Sequence, residues 1–241
     1  MFLHRSYLTE TYLISLVCRL SVKLGRALVS CNRRCMLSSS KSTVGAMLTV
    51  TDAAIERGYR RLLQGIALSV AAGELWQLVG ANGLGKTSFL RALAGLSRLG
   101  VEGDIDHAGQ FLYQGHMPGL KPLLSPLENL RWHPSGIVDP DEDRLCHALA
   151  AVGLAGYEET PVHNLSAGQQ RRVGLARLWA TEAPLWLLDE PFTAIDVAGA
   201  ELLEQRMVEH VDGGGAVVFT SHQPNRFAGR LNVLDLADYA V

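Results

Sequence analysis

Apolar positions in this chain fall into short unbroken runs, separated by stretches with helical spacing and by polar punctuation. Leu75-Trp76-Gln77-Leu78-Val79 reads as a buried strand, and Ser88-Phe89-Leu90-Arg91-Ala92-Leu93 soon after it reads as a helix. Leu185-Trp186-Leu187-Leu188 and Ala216-Val217-Val218-Phe219-Thr220 are two more such runs. Runs this short without alternation suit strands of a parallel sheet covered on both faces. Met47-Leu48-Thr49-Val50 opens a plausible first strand. Ser166 reads as an N-cap, and Ala167 to about Glu182 as a helix rich in Ala, Leu and Arg. Asp139-Pro140 is a predicted helix start, with acids in the first turn and Leu145, Ala148, Leu149 and Val152 at core spacing. The expected architecture is α/β: a mostly parallel sheet core, a small antiparallel β portion before and beside it, and a helical subdomain inserted at about 118–165.

The loop between the first buried run and its helix changes the picture from fold to chemistry. Gly80-Ala81-Asn82-Gly83-Leu84-Gly85-Lys86-Thr87 fits the phosphate-loop pattern G-x-x-x-x-G-K-[ST] at every required position. Its glycines let backbone N–H groups point at phosphate oxygens, and the helix N-terminus adds partial positive charge. Lys86 is expected to reach the β- and γ-phosphates of a nucleotide and the Thr87 hydroxyl to hold magnesium, with the adjacent Ser88 also expected to contact the nucleotide. The run Leu185–Leu188 ends in Asp189-Glu190. Asp189 can hold magnesium directly or through water, and Glu190 can polarise an attacking water as general base.

Leu165-Ser166-Ala167-Gly168-Gln169-Gln170-Arg171-Arg172 precedes that acidic pair, with Gln169 20 residues before Asp189. A Ser N-cap, a Gly permitting close approach and a helix N-terminus make a second anion site. With this stretch added, the chain resembles the ATP-binding cassette (ABC) ATPases. The resemblance implies that Ser166, Gly168 and Gln169 close on the γ-phosphate held by another protomer's phosphate loop. Two composite ATP sites would then form in a dimer. Thr193-Ala194-Ile195-Asp196 stands where the family has its D-loop, so Asp196 would cross that interface. His222, at the end of the β-rich run, takes the switch-histidine place, where it would orient the water. The family's loop glutamine, which contacts magnesium and senses a membrane partner, falls on His116 when counted back from Leu127-Glu128-Asn129-Leu130; Gln114 is the nearby alternative. The connection from Lys86 to His116 is short, so the β-hairpin usual there is expected to be trimmed. Tyr59 is the only aromatic near the place of an adenine-stacking residue.

Gly115-His116, Phe192-Thr193-Ala194-Ile195-Asp196 and His222-Gln223-Pro224 narrow the likeness. Over about Leu48 to Arg226 the chain is similar to the ATP-binding subunits of cytochrome c maturation haem exporters. That implies ATP and Mg2+ as ligands and a second copy as partner. It further implies an integral-membrane permease subunit, and haem or a haem chaperone as indirect cargo. The expected place is the cytoplasmic face of a bacterial inner membrane. An ABC exporter with another cargo would share the same chemistry.

Composition adds two constraints. No run approaches the roughly 18–20 apolar residues that cross a bilayer, so such an ATPase would take its spans from a partner meeting the helical segment from about Pro118 to His163. Residues 1–46 hold seven Lys/Arg, one acid (Glu10) and three of the four cysteines (Cys18, Cys31, Cys35). Residues 47–241 hold 15 basic and 23 acidic side chains, a balance unsuited to a nucleic-acid backbone. The basic stretch reads as a mitochondrial-type transit peptide, as an arm touching anionic lipid, or as sequence upstream of a start at Met47, which is the expectation preferred here. A transit peptide would place the chain at the mitochondrial inner membrane instead.

Overall fold

Ala46–Arg57 and Arg60–Ala71 form an antiparallel pair, β1 and β2, which pair from Ala46 opposite Ala71 to Arg57 opposite Arg60; β2 turns Leu63, Ile66, Leu68 and Val70 inward. The computed structural model describes residues 45–133, 141–222, 227 and 229–241. The predicted helix start Asp139-Pro140, the Gln223-Pro224 pair and residues 1–44 lie outside the described residues. The predicted first strand begins one residue early, at Ala46, and continues well past Val50. A single strand β4 (Val101–His107) adds to its other edge, giving the order β2-β1-β4. One strand therefore occupies the connection where a trimmed hairpin is expected.

The second sheet is parallel throughout. Its strands β3 (Leu75–Val79), β5 (Phe111–Gln114), β6 (Leu185–Leu188), β7 (Ala216–Thr220) and β8 (Leu231–Asp235) lie in the order β5-β6-β7-β3-β8. The four residues of β6 and the five of β7 are all buried, as strands covered on both faces must be. Parallel pairing turns the C-terminal ends of β3, β5, β6 and β7 to one edge, where open α/β sheets bind ligands.

Helix α1 (Lys86–Leu93) covers one face with the antiparallel sheet, where Phe89, Leu90 and Leu93 pack among Leu48, Ile66, Leu78 and Val218. Helix α5 (Val197–Asp212) covers the other through Leu203, Met207 and Val211 against Trp186, Val217 and Phe219. Trp186 is fully buried, and truncating such a side chain costs about 3–5 kcal/mol.

A third apolar cluster joins α2 (Pro126–Arg131), α3 (Glu142–Ala151) and α4 (Ala167–Ala180). Helix α2 starts at a capping box, Ser125 and Glu128 each bonding the other's backbone N–H. Helix α3 is capped by Asp141, and the residues expected at core spacing, Leu145, Ala148, Leu149 and Val152, are buried. Helix α4 is apolar on more than one side because it serves two cores. Val173, Ala176 and Ala180 face the helical cluster, while Leu175 and Leu178 pack on the parallel sheet's cover. Among the described residues no helix is long and apolar enough to cross a membrane.

One packed histidine makes stability depend on pH. The His210 ring stacks on Trp186 at 3.7 Å between centroids and 7° between planes, and its Nε2 sits 3.0 Å from Pro184 O. Gly215 leaves room for it, since a Cβ there would lie 2.2 Å from Nε2. Burial pushes the imidazole from the ordinary 6.5 down to about 4. The folded chain then refuses a proton that the unfolded chain accepts, so stability is complete above pH 6.5 and is lost as pH falls toward 4. His107 shifts the same way. Chemical denaturation at pH 7 and pH 4.5 is expected to show a smaller acid loss for His210→Phe than for the parent chain; equal losses would mean that this ring does not carry the effect.

Candidate active site

The phosphate loop runs from the end of β3 into α1. Gly80 and Gly85 have φ of 143° and 115°, outside the range that side-chain-bearing residues adopt with ease. Gly80 is also crowded: a Cβ there would lie 2.6 Å from Leu84 Cδ2. Gly85 is the left-handed N-cap of α1 and its carbonyl accepts from Phe89 N at 2.8 Å. The Lys86 ammonium is nearly buried and lies across the loop, donating to Gly80 O at 2.7 Å and Ala81 O at 3.2 Å. Asn82, Gly83 and Leu84 form the tip, and Ser88 lies in the first turn of α1.

The strand order sets the next contacts. Strand β7 lies between β3 and β6, so its last residue, Thr220, stands between the phosphate loop and the acidic pair. Thr220 Oγ1 donates to Asp189 Oδ1 at 2.8 Å and accepts from Glu190 N at 2.8 Å. Thr87 Oγ1 donates to the same Asp189 oxygen at 3.1 Å. Asp189 is 1% exposed, and a buried carboxylate needs such partners. A hydroxyl beside a carboxylate is a hard-oxygen pair of the kind that magnesium takes alongside phosphates and water. Among the described residues no group of three or more His, Cys, Asp and Glu could form a separate metal cage.

Glu190 follows in the left-handed region at φ 51°. Its Oε1 lies 3.1 Å from His222 Nε2, and its Oε2 accepts from Thr193 Oγ1 at 3.4 Å. The carboxylate is mostly buried, whereas His222 is about half exposed. The structure thus brings Lys86, Thr87, Asp189, Glu190 and His222 to one edge of one sheet.

His116 lies two residues beyond β5 with an exposed side chain. Gln114, the alternative for the loop-glutamine place, is 2% exposed, and its Oε1 accepts from Arg177 Nη1 at 3.2 Å. Of the two, only His116 has a side chain turned to solvent. Tyr59 is fully exposed at the tip of the β1–β2 turn.

Ser166, Gly168 and Gln169 lie at the start of α4, in the helical cluster of Leu165, apart from the phosphate loop, which packs through Leu84 on the other core. Ser166 Oγ accepts from Gln169 N, and Gln169 Oε1 accepts from Ser166 N, so the expected N-cap is a complete capping box. Asp196 caps α5 through Gly199 N and pairs with Arg172 at 3.4 Å.

Three residues of this edge were not singled out from the sequence. Thr220 becomes visible only once β7 is known to lie between β3 and β6. Arg171 and Arg177 are 6% exposed, and burial lowers both guanidinium pKa values, that of Arg177 to about 10. Asp189 and Glu190 partly restore that of Arg171. Nothing in a helix rich in arginine marks which of them turn inward. Burial, followed by the charge of Asp189, also pushes the Tyr113 phenol up to about 12.

Known proteins show the family and the fold. The family model described as ABC transporter matches residues 63–193. The chain is 49% identical to the cytochrome c biogenesis ATP-binding export protein CcmA of Escherichia coli O6:H1 over 190 residues, covering 74% of this chain and 90% of that protein. Identity to the CcmA of Escherichia coli strain K12 is 48% over the same lengths. Among solved structures, an ATP-binding subunit of an ABC transporter superposes with a TM-score of 0.70 at 24% identity, over 79% of this chain and 88% of that one. The ATP-binding cassette MJ0796, in a dimeric post-hydrolysis state bound to ADP and Pi, gives a TM-score of 0.68 at 23% identity, over 79% and 96%. These two likenesses concern the fold. With a phosphate loop at the end of β3, a buried Asp189 beside Thr87, and near-half identity over nine-tenths of its relatives' length, the chain belongs to the CcmA family of ABC transporter ATP-binding proteins.

Proposed function

We propose that this chain is the ATP-hydrolysing subunit of an exporter complex serving cytochrome c biogenesis. Two copies and an integral-membrane permease would assemble at the cytoplasmic face of the membrane. The observation that carries the reading is the chain of contacts Thr87–Asp189–Thr220–Glu190, with Glu190 in reach of His222. It supports the reading because a hydroxyl–carboxylate oxygen pair, a second carboxylate and an imidazole lie together beside the phosphate loop.

In this reading Gly80 through Ser88 wrap the phosphates with backbone N–H groups, and Lys86 exchanges its two loop carbonyls for phosphate oxygens. Thr87 and Asp189 would hold magnesium, which, when bound, offsets phosphate charge. Glu190 takes a proton from the attacking water while His222 and His116 orient it. Ser166, Gly168 and Gln169 of one copy meet the nucleotide held by the other, and Asp196 crosses the interface. Closure excludes bulk water, keeps the attacking one and fixes the in-line geometry. Reopening after hydrolysis is passed to the permease by the helical segment at about 118–165. The domain so described spans 47–241. Identity to CcmA supports the cargo assignment: haem delivery, or release of a haem-loaded chaperone, beyond the membrane.

Cells carrying Glu190→Gln as their only copy are expected to lose covalent haem from c-type cytochromes while other haem proteins stay normal, read by haem staining. Normal c-type cytochromes would move the assignment to an exporter with a different cargo. In purified protein the same substitution is expected to keep ATP binding and reduce turnover by roughly 10²–10⁴-fold, as for loss of a general base.

His116→Ala is expected to lower turnover roughly 10-fold or more, with ATP affinity little changed, if this imidazole orients the water. Unchanged turnover would remove His116 from the site.

A further inference from the structure

Helix α4 carries Arg171, Gly174 and Arg177 at spacings of three, which sets them along one side of the helix. That side holds the segment leaving β5. Arg171 Nη1 donates to His116 O at 2.6 Å, Arg177 Nη1 donates to Pro118 O at 2.6 Å, and Arg177 Nη2 donates to Gly119 O at 3.3 Å. Gly174 lets the segment lie close between them, since a Cβ there would sit 2.8 Å from Pro118 Cβ.

Arg171 makes a further bond that Arg177 does not. Its Nη2 donates to Glu190 O at 2.7 Å. Glu190 occupies the left-handed region, which a residue with a side chain holds only when its surroundings enforce it. Thr220 fixes its N–H at 2.8 Å, and Arg171 fixes its carbonyl. Without Arg171 the carbonyl keeps only the longer turn bond from Thr193 N, at 3.2 Å, and the carboxylate is less firmly aimed. The same guanidinium grips the carbonyl of His116, so the two residues expected to handle the water hang from one side chain. That side chain sits on the helix capped by Ser166.

We propose that Arg171 is a positioning residue for ATP hydrolysis: by holding the carbonyls of Glu190 and His116 together it aims the Glu190 carboxylate and ties its aim to the position of helix α4. The inference rests on the reading of Glu190 as the base. A displacement of α4, such as a partner's nucleotide would impose at Ser166, then reaches Glu190 and His116 together, through hydrogen bonds of 2.6 and 2.7 Å.

The test uses the full chain in the assembly in which it purifies. Arg171→Met, Arg171→Lys and Glu190→Gln are compared for ATP turnover, ATP dissociation constant and thermal midpoint. Arg171→Met is expected to lower kcat by roughly 100-fold, as misplacement of a reacting group does, while the dissociation constant for ATP stays within about 3-fold. Arg171→Lys, which can reach one carbonyl but lacks the fork to span two, is expected to fall between, about 10-fold down. If the Met variant does not fold, the Lys variant decides on the same split. A kcat within about 3-fold of the parent in the Arg171 variants, with Glu190→Gln inactive, overturns the positioning role alone. A loss of kcat matched by an equal loss of ATP binding also overturns it, because it marks a merely structural cation. Parent-level turnover in Glu190→Gln removes the base reading and this inference with it.

Discussion

The buried carboxylate of Asp189 is the constraint around which the rest is arranged. A carboxylate at 1% exposure is costly unless hydrogen bonds replace its water. Here the hydroxyls of Thr87 and Thr220 supply them to a single oxygen. That demand requires the start of α1 and the end of β7 to converge on the end of β6. Three segments far apart in the chain are thereby locked at one edge of the parallel sheet. The order β6-β7-β3 is what makes the geometry possible, with β7 standing between the strand that leads into the phosphate loop and the strand that ends in the acidic pair.

Helix α4 is the second organiser. It contributes to the helical cluster through Val173 and Ala176 and to the sheet's cover through Leu175 and Leu178. A helix packed on two sides cannot shift against one core without disturbing the other, because close-packed interiors transmit displacement. Its arginines extend that connection to the loop after β5 through backbone carbonyls. Arg177 is tolerated at nearly full burial because Gln114 Oε1 and the carbonyls of Pro118 and Gly119 accept hydrogen bonds from its Nη1 and Nη2, although its buried Nε has no hydrogen-bond partner. Its pKa, even lowered to about 10, leaves it charged at neutral pH.

Much of the fold was legible in the sequence because its parallel strands are buried on both faces, so Leu185–Leu188 and Ala216–Thr220 appear as unbroken apolar runs whose bounds match the strands. The helix from Ala167 was legible from its N-cap, and it stops at Ala180, two residues short of the expected Glu182. The antiparallel strands were harder to read. β1 and β2 shift register at several points, so only the opening residues of β1 were picked out.

The sequence by itself determined the chemistry available: a phosphate loop, a strand ending in two carboxylates, a capped helix and a histidine after a third strand. Each is a local pattern, held within a few residues of one another. Tertiary structure alone decided which groups meet. Strand order, which local patterning does not encode, put Thr220 against Asp189 and Glu190. Burial chose Arg171 and Arg177 from the arginines of one helix and left Arg172 on the surface to pair with Asp196. It also separated His116 from Gln114, two neighbours that spacing alone could not tell apart. One lies past the end of β5 with its side chain in solvent, and the other is sealed beneath Arg177.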